Sequence, residues 1–217
     1  MRRTLIVGDV HGCLQELKDL LRKMEHSASD RLIFVGDLIA RGPDSRGVLR
    51  YVSDLNAEVI CGNWELKLRE DVEKAGGVEN LESEILEELE PDAEGWIRWI
   101  EEFPSYIEEE EFLVVHGGLI PGKHPSETAP RLLVNVRTWD GEGEDLDNPG
   151  DPAWYDLYTG DRLVVFGHWA QRGLVVRENV IGLDTGCVYG NQLSAVELPA
   201  RRIHQVEART VHCVPGG

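Results

Sequence analysis

Five apolar stretches of this chain each run into a loop that pairs glycine with a metal-type side chain, and that recurrence constrains the fold more than any other feature. The tips read Gly8-Asp9-Val10-His11-Gly12, Gly36-Asp37, Gly62-Asn63, His116-Gly117-Gly118 and Gly167-His168. A short apolar run that stops at turn residues is the signature of a buried strand. The first three runs span 4–10, 31–37 and 57–61. Helical spacing separates them: Leu14, Leu17, Leu20, Leu21 and Met24 over 14–25, then Val48, Leu49, Val52 and Leu55 over 45–55. This β-α-β-α-β order predicts parallel strands joined by right-handed crossovers. Strand C-termini in such a sheet open on one crevice, so the five tips can converge there.

Residues 65–102 are helical and acidic, and their Glu-rich stretches are expected to be solvated faces. From 105 onward the pattern turns to strands: 105–117, 162–168, 173–176, 179–186, 191–198 and 201–208. The polar, Gly/Pro-rich segment 140–152 reads as a surface loop and not a domain boundary, because motifs lie on both sides. The expectation is a single α/β domain over 1–217. Its 65–104 acidic helical insert packs over one face, and its second half adds a mixed or antiparallel sheet.

Lys and Arg number 22 against 40 Asp and Glu, a net charge of −18. Such a surface repels a polyphosphate backbone, so long DNA or RNA is not an expected partner. No apolar run approaches the roughly 20 residues of a membrane span. The first apolar stretch ends at Asp9, which marks a strand and not a signal peptide. Cys13, Cys61, Cys187 and Cys213 form no CxxC motif, so reduced thiols and a cytoplasmic location are expected.

The tips bring Asp, His, Asp, Asn, His and His: hard oxygen mixed with imidazole, without thiolate. That set suits two divalent ions of the manganese type, with iron or zinc also compatible, and suits calcium poorly. Asp9 and His11, two apart on extended backbone, can share one ion. Asp37 has two oxygens and can bridge. Asn63, His116 and His168 complete the second ion. Two cations about 3.5–4 Å apart polarise a phosphoryl group and steady its leaving oxygen.

The motifs GDVHG, GDLIARGPDS, GNWE, VVHGG, FGH and DTGCVYGNQLSAVEL resemble those of the calcineurin-like metallophosphoesterases. The likeness extends over about residues 4–198 and is strongest to bacterial phosphoprotein phosphatases and symmetrical diadenosine tetraphosphatases. It implies a four-layer α/β/β/α sandwich of two mixed sheets flanked by helices. It implies Asp9, His11 and Asp37 on one ion, with Asp37, Asn63, His116 and His168 on the other. It also implies in-line attack by a hydroxide held on metal, without a phosphoenzyme. Arg41 matches the family's phosphate-binding arginine, and Arg137, in NVRTW, sits where a second one is found. Asp184-Thr185-Gly186 is expected to support the site.

Two positions depart from the family pattern. Trp64 stands where the general-acid histidine usually lies, and Ala40 replaces the aspartate that orients it. An indole N–H is no acid near neutral pH. Losing general acid catalysis costs about 10²–10⁴ in rate, most heavily on poor leaving groups. Activated substrates such as phosphoanhydrides, aryl phosphates or phosphotyrosine are therefore expected over phosphoserine. Trp64 either packs beside the metals or offers a face to a nucleobase, and a ring as large as that of Trp169 would narrow the pocket if it faced it. His26, His124, His204 and His212 read as surface or strand residues, with His124 the best substitute acid. Trp96 and Trp99 read as helix packing. The expected substrate is a small phosphorylated molecule, such as a dinucleoside polyphosphate, or a phosphoprotein. The rival reading is a pseudo-phosphatase, a metal-bearing module that binds phosphate and turns it over poorly.

Overall fold

A computed structural model describes residues 2–214. The chain runs β1 (Thr4–Val7), α1 (Leu14–Lys23), β2 (Arg31–Phe34), α2 (Ser45–Asp54) and β3 (Glu58–Val59). Three helices follow: α3 (Asn63–Ala75), α4 (Glu84–Leu89) and α5 (Ala93–Glu101). Next come β4 (Tyr106–Glu108), β5 (Phe112–Val115), α6 (Pro130–Asn135) and β6 (Leu163–Phe166). The chain closes with β7 (Val175–Val176), β8 (Val180–Gly182), β9 (Gln192–Leu198) and β10 (Arg202–Glu207). Among the described residues no helix is long and apolar enough to cross a membrane.

Two five-stranded sheets result, ordered β10-β9-β1-β2-β3 and β4-β5-β6-β8-β7. Both are mixed: β1, β2 and β3 run parallel, as do β5, β6 and β8, while β9 runs antiparallel to both β1 and β10, β4 to β5 and β7 to β8. Alternation along each strand explains the layers. In β1, Leu5 and Val7 face α1 and α2, whereas Ile6 faces the other sheet. In β5 and β6, Phe112, Val114, Leu163 and Val165 meet Ile6, Ile33, Val35 and Val196 between the sheets. Strands buried on both faces read as continuous apolar runs, which is why TLIV, FLVV and LVVF look alike in sequence. The outer face of the second sheet is covered thinly, by α6 and by loop residues including Ile120, Trp154 and Trp169.

The structure corrects several boundaries. The strands expected at 4–10 and 31–37 stop at Val7 and Phe34, because the glycine–aspartate tips leave the sheet to form loops. The helical stretch expected over 65–102 is three helices, the first ending at Gly76 in a left-handed cap. The run 105–117 is a hairpin whose turn uses Glu109–Glu111, closed by Glu109 N–H donating to the Phe112 carbonyl.

Candidate active site

Loops at the C-terminal ends of the parallel strands are tied to one another by backbone. The N–H groups of Val10 and His11 donate to the Asp37 carbonyl at 3.1 and 2.8 Å. Gly167 N–H donates to the His116 carbonyl at 2.8 Å, and His168 N–H donates to Asp9 Oδ2 at 3.0 Å. Trp64 N–H, at the start of α3, donates to Asp37 Oδ1 at 3.0 Å, where the helix dipole favours an anion. Two glycines are required for this closeness. A Cβ on Gly62 would stand 2.2 Å from Asp37 Oδ1, and one on Gly167 would stand 2.1 Å from Asp9 Oδ1. His11, Asp37, Ala40, Arg41 and His168 all hold left-handed backbone, with φ between 45° and 69°. Strain of this kind is held by surrounding structure and clusters at functional sites.

Asp9, His11, Asp37, Asn63, His116 and His168 all converge. Asp9, Asp37 and His116 each offer an atom within 4.8 Å of the others, and all are buried. The Nδ1 atoms of His11 and His116 face the carbonyls of Ile39 and Val35 at 3.0 and 2.7 Å. A carbonyl only accepts, so Nδ1 carries the hydrogen and a neutral ring turns its Nε2 lone pair inward. His11 Nε2 lies 3.4 Å from Asp37 Oδ2, and His116 Nε2 lies 3.5 Å from Asp37 Oδ1. His116 Nε2 and His168 Nδ1 also meet the same Asn63 Oδ1, at 2.9 and 2.8 Å. Lone pairs aimed at carboxylate and amide oxygens repel unless positive charge lies between them. The donor set therefore fits divalent cations.

The electrostatics agree. Burial and the charge of Asp184 push Asp9 well above the usual carboxylate range. Burial also opposes ionisation of Asp37, but His116 and His11 hold its carboxyl well below that range. Although burial works against a charged ring, Asp37 and Asp9 carry His116 up to about 10. A cluster this acidic draws positive charge to its centre.

Glu65 was not foreseen as part of the site. The Glu-rich helix suggests solvated carboxylates, yet this one is fully buried. Its Oε2 accepts the N–H of Asp37 and Gly62, and its Oε1 accepts those of Leu38 and, more weakly, Ile39. It clamps the Asp37 loop to the start of α3. Burial and the charge of Asp37 raise its carboxyl to about 7. The available signal was a glutamate three residues past the helix N-cap, where it reaches back to the cap N–H.

Arg41 and Arg137 line the same cleft, with Trp64, Gln171, Asp184 and Tyr189. The Arg41 guanidinium lies over the Trp64 ring, 4.8 Å from its centroid, and 5.6 Å from that of Tyr189. Trp64 thus packs on the phosphate-type arginine. Arg137 pairs with Asp147, so segment 140–152 reaches back to the cleft rather than being surface loop alone. Trp169 does not line the cleft. Its ring packs near Tyr155 with Arg172 over it, so it does not narrow the pocket. His124 bonds Ser126 and Glu108 outside the cleft. Trp96 meets Trp99, and Trp99 meets Phe103, edge to face as helix packing.

Comparison with known proteins bears on this geometry. The profile of the calcineurin-like phosphoesterases matches residues 2–190. The symmetrical bis(5'-nucleosyl)-tetraphosphatase of Ralstonia nicotianae is 32% identical, with 88% of each chain covered. That of Burkholderia thailandensis is 32% identical with 92% covered. A crystal structure assigned to a diadenosine tetraphosphatase superposes with a TM-score of 0.83 at 33% identity, covering 95% of this chain and 94% of the other. A cold-active protein tyrosine phosphatase shares the fold, at a TM-score of 0.61 and 17% identity, over 99% of this chain and 80% of the other. A matching profile over most of the chain, relatives near one-third identity and a cluster of buried acid and imidazole at the strand tips place this chain among the calcineurin-like phosphoesterases, as a metal-dependent phosphoesterase.

Proposed function

We propose that this chain hydrolyses phosphoanhydrides of the dinucleoside polyphosphate class at a binuclear centre. The observation that carries the reading is Asp37, whose two oxygens face His11 on one side and His116 on the other. Asp9, His11 and Asp37 would hold one divalent ion, and Asp37, Asn63, His116 and His168 a second; manganese suits this oxygen and imidazole set. Such ions, when bound, polarise a phosphoryl group, lower the pKa of water and neutralise a leaving oxygen.

The chain's own residues supply the rest. Arg41, propped on Trp64, presents its fork to phosphate oxygens, and Arg137 approaches from the opposite loop. Among the described residues no serine, threonine or cysteine lines the cleft, and direct transfer of the phosphoryl group to water needs none. The Trp64 indole cannot protonate a leaving group, so the departing oxygen must already be a weak base. The bridging oxygen of a nucleoside polyphosphate meets that requirement, and the oxygen of phosphoserine does not. The name borne by the one-third identical relatives points to the same substrate class.

The test is kcat/KM with manganese for diadenosine tetraphosphate, p-nitrophenyl phosphate, a phosphotyrosine peptide and a phosphoserine peptide. Anhydride and aryl substrates are expected to exceed phosphoserine by about 10² or more. Equal rates across the series would overturn the leaving-group argument, and no turnover of any substrate would favour the phosphate-binding module instead.

A further inference from the structure

A second group of ligand-type side chains lies away from the cleft, on the helix-covered face of the first sheet. Cys13 precedes α1, and its side chain caps nothing there. Glu16, one turn on, is buried at 2% exposure. His212 comes from the C-terminal segment, which folds back so that the N–H groups of His212 and Cys213 donate to the Val188 carbonyl. The Cys13 thiol, a Glu16 carboxylate oxygen and a His212 ring nitrogen all lie within 4.8 Å of one another. None of the three lines the phosphate cleft.

Two features of this group call for a cation. A buried carboxylate is costly without a charged partner. Glu16 accepts the Arg209 N–H at 3.0 Å, but the Arg209 guanidinium turns away to Asp19. His212 Nε2 is buried and has no hydrogen-bond partner. It stands 3.8 Å from Glu16 Oε1, too far for a hydrogen bond. Ligands at zinc bond lengths of about 2.0–2.3 Å in a tetrahedron lie about 3.3–3.8 Å apart, so the same separation fits two ligands of one ion.

We propose that Cys13, Glu16 and His212 form a zinc site distinct from the catalytic centre. Sulfur in the donor set separates it chemically from the oxygen and imidazole centre and selects a softer metal. As the zinc–sulfur bond forms, the Cys13 thiol proton leaves to solvent. The ion staples the C-terminal segment to the start of α1. This inference does not depend on the substrate proposed above.

The metal-stripped full chain is titrated with cobalt and, separately, with zinc. Wild type is expected to show a sulfur-to-cobalt charge-transfer band, which the catalytic centre cannot produce. Cys13→Ser is expected to lose the band, and His116→Ala to keep it. His212→Gln is expected to weaken the sulfur-bound cobalt at least tenfold and to reduce the rise in Tm that zinc gives wild type. His212 sits on a terminal segment, so this variant carries the test even where Cys13→Ser does not fold. Cobalt binding without a sulfur band in wild type, or unchanged band and zinc response in His212→Gln, would overturn the proposal.

Discussion

Replacing Glu65 with glutamine separates the clamp described above from a merely solvated glutamate. Wild-type Glu65 receives three short backbone hydrogen bonds, from Asp37 and Leu38 at 2.8 Å and Gly62 at 3.0 Å, and a longer one from Ile39 at 3.4 Å. Glutamine keeps one oxygen and turns an NH2 toward two backbone donors. Each charge-assisted bond lost costs about 1.5–3 kcal/mol. Two such losses come to about 3–6 kcal/mol, and release from burying a charge offsets part of that. The expected net destabilisation is about 3 kcal/mol, or about two orders of magnitude in the unfolding constant. The assay is urea unfolding of the metal-stripped protein at pH 8, with the slope compared to wild type. Because the clamp sets the Asp37 loop, the manganese concentration for half-maximal activity is also expected to rise. A loss below about 1 kcal/mol with unaltered manganese dependence would refute the clamp, since one ordinary hydrogen bond accounts for that much.

Trp64→Ala removes the ring 4.8 Å from the Arg41 guanidinium, and a cation–π contact of about 1 kcal/mol implies a near fivefold fall in kcat/KM; unchanged kcat/KM would show that Arg41 needs no support. Gly167→Ala drives a Cβ into Asp9, so activity is expected to collapse while circular dichroism stays native; retained activity would refute the close approach. Asp140 accepts backbone N–H groups from Asp145, Gly143, Glu142 and Glu144, which hold its carboxyl down at about 2. A depressed carboxyl stabilises the loop above its ordinary 3.8 and loses that effect as pH falls through 2; an NMR titration midpoint near 3.8 would contradict this. His124→Ala is expected to leave the pH–rate profile unchanged, because His124 is engaged by Glu108 and Ser126; a selective loss on alkyl phosphates would identify it as the acid.

The convergence at the cleft was legible because each tip is a local device. A buried strand announces itself by an apolar run, and a turn that must approach another chain segment announces itself by glycine. Relations between segments left no such mark. Glu65 is one glutamate among many until the Asp37 loop lies over it. Trp64 has no visible partner until Arg41 takes up left-handed backbone and swings across the ring. Asp147 looks like loop filler, yet it pairs with Arg137. His212, expected as a surface or strand residue, returns to α1 with its Nε2 buried.

From the sequence alone came the α/β class, the order of strands and helices, and the side chains at the strand ends, since periodicity and turn chemistry act over a few residues. Tertiary structure alone decided where each strand stops, which backbone bends to positive φ, and which carboxylates lose their water. Those outcomes depend on hydrogen bonds and burial supplied by residues far along the chain, and no local window contains both partners.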